Sequence, residues 1–154
     1  MKFIDINYEG NIDEVLKLIC DNNAVNSGVV FDESKGIPQM RVKNNQNGKI
    51  KITCEMVGGP TRDNGFLVGT YFSGKLTEKD GRTRLKGILT TAPIYHTVLI
   101  LFIGLFIYQC IKLGGFSVIP IFIVAFDVIL FWKEFKKQGF IERYLHRAAR
   151  RMKN

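Results

Sequence analysis

Two apolar stretches stand almost back to back near the C-terminal end, Pro93 to Ile111 and Leu113 to Trp132, parted only by Lys112. They govern how the rest is read. From Gly87 to Ile111 twenty-five residues pass without a Lys, Arg, Asp or Glu, which at about 1.5 Å per helical residue covers a hydrocarbon core of roughly 30 Å. The second stretch carries one charge, Asp127, and Gly114-Gly115 between the two offers the tight reversal that a helical hairpin needs. The pattern predicts a two-helix transmembrane hairpin over residues 92–132, with arms at about 93–111 and 115–132. The competing reading, a hairpin buried in a soluble protein, is set aside on the length of the spans.

Charge supports the same picture. The chain has 154 residues and a net charge of +8. Residues 1–91 hold thirteen basic and eleven acidic side chains (+2), and residues 92–154 hold nine and three (+6). The excess sits beside apolar stretches rather than on an interleaved basic and aromatic surface, which argues against nucleic acid and for anionic phospholipid. Lys and Arg flank the pair of stretches on both outer sides while Lys112 stands alone between them, so both termini are expected on the cytoplasmic side of the plasma membrane. Cys20, Cys54 and Cys110 have no metal or disulfide spacing. Nothing in the sequence implies a metal or cofactor.

Outside the hairpin the chain supports one α+β domain, residues 1–91, and a basic tail, residues 133–154. Phe3 to Tyr8 reads as a strand. Asn11 with Glu14 three residues on forms a capping box, and Ile12, Val15, Leu16 and Ile19 then fall on one helical face. Two β-hairpins follow. For the first, a three-residue loop at Gln46 to Gly48 pairs Val42 with Ile52 and Met40 with Cys54, apolar against apolar, and is preferred to a two-residue loop that would oppose polar and apolar side chains. For the second, the Asp80-Gly81 turn pairs Leu76 with Leu85 and Phe72 with Leu89. That register sets Gly74 opposite Gly87, a gap where a ligand or another element could approach the sheet. After Trp132, Ile141, Leu145, Ala148 and Met152 recur at helical spacing with Tyr144 beside them, in a basic amphipathic helix that Gly139 separates from the second arm by a bend. This helix lies either on anionic headgroups or on the sheet, and the abrupt junction between sheet and hairpin favours the sheet. The fold class is therefore α+β: a small antiparallel sheet with one N-terminal helix, a two-helix transmembrane hairpin and a C-terminal amphipathic basic helix.

The stretch F-x-G-x-L-x-E-x-D-G-x-T-x-L-x-G, Phe72 to Gly87, the apolar pair with Pro120 in its second arm, and F-W-x-E-x-K-K, Phe131 to Lys137, together resemble a group of small uncharacterised bacterial membrane proteins. The resemblance covers about residues 66 to 145. It implies an architecture, a hairpin inserted between sheet and terminal helix, and brings no activity or catalytic residue.

Candidate sites are few. Asp127 is the single ionisable residue inside the apolar stretches apart from His96, and opposed hairpin arms bring the two close enough for a hydrogen bond. The pair either locks the hairpin or relays protons. The loop from Val57 to Phe66 is long for a hairpin connection, and Gly58, Gly59, Arg62 and Asp63 could cradle an anion there. Lys133, Lys136, Lys137, Arg143, Arg147, Arg150 and Arg151 are the expected contacts to anionic lipid. No catalytic motif is present: neither H-E-x-x-H nor G-x-S-x-G occurs. The sequence thus points to a non-catalytic, membrane-anchored binding or assembly module that meets the lipid bilayer and a protein partner, as a monomer or a homo-oligomer. The alternatives are a small channel or transporter subunit lined by Asp127, His96 and Gln109, and a lipid-headgroup-modifying enzyme.

Overall fold

The computed structural model describes residues 1–32, 36–45, 48–58, 69–91, 93–113 and 118–153. Its centre is a five-stranded antiparallel sheet in the order β1-β5-β4-β3-β2, from Lys2–Glu9 (β1), Ile37–Asn45 (β2), Lys49–Val57 (β3), Thr70–Lys79 (β4) and Arg82–Thr91 (β5). Strand alternation gives the sheet one apolar face and one polar face. Ile4, Ile6 and Tyr8 on β1, Ile50, Ile52 and Cys54 on β3, and Leu85 and Leu89 on β5 all point to the same side and are buried.

Three helices cover that side. Helix α1, Ile12–Cys20, starts at the capping box the sequence announces: the Asn11 side chain accepts from the Glu14 amide at 2.9 Å, and Glu14 Oε2 accepts from the Asn11 amide at 3.2 Å. Its Val15 and Ile19 are fully buried. Helix α2, Asn22–Asn26, begins at Asp21, whose carboxylate accepts from the amides of Asn23 and Ala24. The third is the C-terminal half of α4, Val118–Arg151, which lays Ile141, Tyr144, Leu145, Ala148 and Ala149 on the sheet. Tyr144 Oη donates to the Ile19 carbonyl at 2.7 Å, taking up one of the last carbonyls of α1, which a helix cannot satisfy within itself. Tyr8 Oη donates to Leu145 O at 3.2 Å and ties β1 to α4.

Both predicted registers are present: Met40 faces Cys54, Val42 faces Ile52, Phe72 faces Leu89 and Leu76 faces Leu85. Asp80 and Gly81 both have positive φ, 55° and 70°, the two-residue primed turn that matches strand twist. Edge strand β2 is covered in part by Asn22, whose side chain accepts from Met40 N at 2.9 Å and donates to Met40 O at 2.8 Å.

The apolar stretches require a correction. Among the described residues, no helix is long and apolar enough to cross a membrane. The charge-free run is divided, because Gly87 to Thr91 belong to β5 and the helix, α3, Pro93–Leu113, begins only after it. The helical part before Lys112, residues 93–111, rises about 28 Å, and residues 118–132 of α4 rise about 22 Å with Asp127 among them. The two-span transmembrane hairpin, and with it the plasma-membrane placement, is withdrawn. Nor is the basic tail a separate element. Helix α4 runs unbroken through Trp132 and through Gly139, where a bend was expected. The tail packs on the sheet, as the short junction with β5 implies.

Candidate functional site

Three surfaces carry the unusual chemistry: the foot of α4, the arm formed by α3 with the front of α4, and the uncovered face of the sheet.

At the foot, polar groups are buried where α4 crosses the ends of β4 and β5. Glu134 and Lys137, one helical turn apart, form an ion pair of 2.5 Å with side chains only 8% and 6% exposed. Thr70 Oγ1 donates to the Glu134 carbonyl at 2.7 Å, and Gln138 Nε2 donates to Thr91 Oγ1 at 3.0 Å. Glu134 Oε2 is buried without a hydrogen-bond partner. This cluster fixes the angle at which α4 leaves the sheet, since buried polar groups tolerate little displacement. Sequence reasoning placed Lys137 among lipid contacts, and its burial against Glu134 removes it from that role.

The other basic residues of α4 divide in two. Lys133, Lys136, Arg143 and Arg150 are exposed. Arg147 instead donates to Asn26 Oδ1 at 2.7 Å and lies over the Phe31 ring, while Arg151, also exposed, donates to the Ser27 carbonyl, so the two anchor the end of α2 and the segment after it. Partial burial and the nearby Arg143 and Arg150 hold Arg147 below the usual arginine range.

Along the arm α3 packs on α4. Ile100, Ile103, Ile107 and Ile111 lie exposed along one side of α3, Leu101, Leu105 and Tyr108 along another, and Phe122, Val128, Ile129 and Trp132 are exposed on α4. The Lys136 ammonium sits 3.4 Å from the centre of the Trp132 ring. His96 and Asp127 belong to α3 and α4, but their side chains, like Gly59, Arg62 and Asp63 of the long loop, lie outside the described residues. Gly58 closes β3 with φ of 74°.

Gly74 and Gly87 do face each other, on the core side of the sheet. The gap is occupied: a Cβ on either would come within 2.5 Å of Phe72 Cζ. The ring of the fully buried Phe72 lies across both glycines, so their role is to admit that ring, not a ligand.

Among the described residues, no helix covers the opposite face of the sheet. In one row across it, Asp5 faces Lys86, Lys86 faces Lys75, and Lys75 faces Lys49. In the next, Ser73 faces Ile88 and Lys51, and Lys51 faces Lys43. Asp5 is already engaged by Arg84, at 2.7 and 2.6 Å, with Lys86 at 3.8 Å. The Arg84 hydrogen bond holds the Asp5 carboxyl below its usual range. Toward β2 the Glu55 carboxylate engages Arg41 at 2.9 Å, and charge counted along the chain does not show the remaining excess, because Asp13 and Glu14 on α1 and Asp21 at the start of α2 offset it in the count but lie on the helical side. Strand alternation applied to the predicted registers would have found it.

No family model matches this chain, and no curated protein does. Among solved structures it is similar to the crystal structure of the Mll3558 protein from Rhizobium loti, at 18% identity and a TM-score of 0.31, over 56% of this chain and 74% of that one. A likeness at that level carries no argument about fold or function. Among the described residues, no group of His, Cys, Asp and Glu is arranged to hold a metal ion.

Proposed function

We propose that the chain is a non-catalytic binding and assembly module: the sheet with α1, α2 and the rear of α4 is a rigid platform, and the arm of α3 and the front of α4 is its docking element. One observation carries this reading. Large apolar side chains are exposed on more than one side of α3, far beyond the single scattered apolar residues that water-facing surfaces carry without consequence. Such an arm is covered when the protein works. Lys112, Lys133 and Lys136 border the apolar surface, and two aromatic rings, Tyr108 and Trp132, lie beside lysine ammoniums. An apolar surface with a cationic and aromatic rim fits an amphiphile with an anionic head, so phospholipid is the partner class for the arm.

The test is light scattering of the full chain in plain buffer and in non-ionic detergent, together with flotation on phosphatidylglycerol-containing and purely zwitterionic vesicles. The expected result is association in buffer, dispersal in detergent, and flotation that is stronger with the anionic lipid. A monodisperse monomer in plain buffer that floats with neither vesicle would end this reading.

A further inference from the structure

The uncovered sheet face presents opposed lysines that the fold does not neutralise. Lys75 has Lys86 on one side and Lys49 on the other, and Lys51 has Lys43. Like charges directly across an antiparallel pair weaken the sheet. Among the described residues, Lys43, Lys49 and Lys75 have no carboxylate at ion-pair distance, and Asp5 is shared between Arg84 and Lys86. At the middle of the patch Ser73 contributes only a small hydroxyl, with Lys75 beside it on β4, Lys51 opposite, and Lys49 and Lys86 on the diagonals. The result is a shallow floor ringed by ammonium groups.

We infer that this face is a docking surface for an extended acidic segment of a partner protein. Charge complementarity is the first argument. Spacing is the second: on β3 the cations Lys49 and Lys51 recur at every second residue, about 6.8 Å apart, and Lys86 on β5 and Lys43 on β2 flank them, while Arg84 and Arg41 on those strands are held by Asp5 and Glu55. Alternate side chains of an extended peptide have the same repeat, so carboxylates at every second position meet successive ammoniums. A single-stranded nucleic acid fits less well, because such binders stack bases on open aromatic rings. Here the Tyr71 ring is half-buried with the Lys51 ammonium 4.3 Å from its centre, and Phe3 lies on the outermost strand. The central row is lysine rather than arginine, point charges without the planar fork that reads bases and phosphates in pairs.

The surface stands apart from the arm, and its test is independent of the arm's partner. A fluorescent ten-residue peptide of alternating Glu and Thr is titrated into the full chain in non-ionic detergent, with a Gln and Thr peptide as control. Binding that weakens as salt rises from about 0.05 to about 0.5 M is expected. The triple variant K49Q/K75Q/K86Q is expected to lose about tenfold in affinity while its melting temperature holds or rises, because the substitutions relieve repulsion. The variant K133Q/K136Q, on the arm, is expected to bind the peptide unchanged. Binding of the acidic peptide no tighter than the neutral control, or undiminished in the triple variant, would overturn the inference. So would tighter, lysine-dependent binding of a single-stranded oligonucleotide of equal charge, which would assign the face to nucleic acid instead.

Discussion

Two tyrosines join the helical layer to itself and to the sheet, and both are held as neutral phenols. Burial pushes the Tyr8 and Tyr144 hydroxyls well above the usual tyrosine range, each with a smaller contribution from neighbouring groups. A raised pKa means the folded protein keeps these protons where the unfolded chain loses them, so their contribution is intact below about pH 10 and declines as pH rises above it. Melting temperature is therefore expected to fall as pH rises above about 10, with phenolate absorbance from these two residues appearing only as the fold opens. Tyr144→Phe should flatten part of that decline. The same substitution leaves the buried Ile19 carbonyl without its donor, at a cost of about 1–3 kcal/mol in a denaturant titration. Glu134 and Lys137 are the other residues on which the structure turns. Removing one partner of a buried pair strands the other charge, so Lys137→Met, which takes the 2.5 Å partner from the buried Glu134 carboxylate, should cost about 3–5 kcal/mol, whereas replacing both by apolar residues of similar volume should cost much less. Neither role was legible in the sequence. Tyr144 read only as a neighbour of the apolar stripe, and Lys137 as one more cation in a basic run, because facing the sheet distinguishes them and sequence spacing alone does not.

Elements were legible wherever local chemistry and pairing agreed. The Asn11 and Glu14 cap, the Asp80-Gly81 turn and the apolar pairs of both hairpins each point to one register, and the sheet forms in that register. Gly74 and Gly87 were legible as a gap but not as to its occupant, since Phe72 belongs to the same hairpin and the filling is internal. Gly87→Val should therefore destabilise by about 1–3 kcal/mol through overpacking against Phe72, and unfolding curves of the purified variant would show it without any ligand present. The apolar stretches misled because span length was counted over the charge-free run from Gly87, of which only the part from Pro93 on is helical, and because the second stretch holds Asp127 and continues without a break into the basic half of α4. Gly139 misled in the other direction. A glycine costs about 1 kcal/mol in a helix interior, yet Gln138 bonded to Thr91 on one side and Ile141 in the core on the other hold the backbone helical across it. The lysine rows offer a test at this scale too. Lys75→Glu places a carboxylate between Lys86 and Lys49, and should raise stability by about 0.5–1 kcal/mol while weakening capture of the acidic peptide.

Taken whole, the molecule separates three environments that a linear count of charge merges: an apolar core between sheet and helices, a cationic open face, and an apolar arm rimmed by lysine. The platform is closed by contacts made without the arm, since α1, α2 and the rear of α4 each bury their apolar residues on the sheet. Side chains such as Ile100, 70% exposed, and Phe122, 71% exposed, contribute little to that core. Their exposure gives a prediction that separates docking from folding. In I100S/F122S the platform should melt within about 0.5 kcal/mol per site of the unaltered chain, as substitutions away from packed features do, while association in plain buffer and flotation on anionic vesicles both decline. If these side chains were instead part of a packed core, polar replacement would cost several kcal/mol and I100S/F122S would part from the unaltered chain in denaturant before any difference in association could be read. Equal melting with reduced association is the outcome expected of the proposed docking arm, because the free energy released on covering apolar surface scales with the area removed from water, and that area is exposed in the chain by itself.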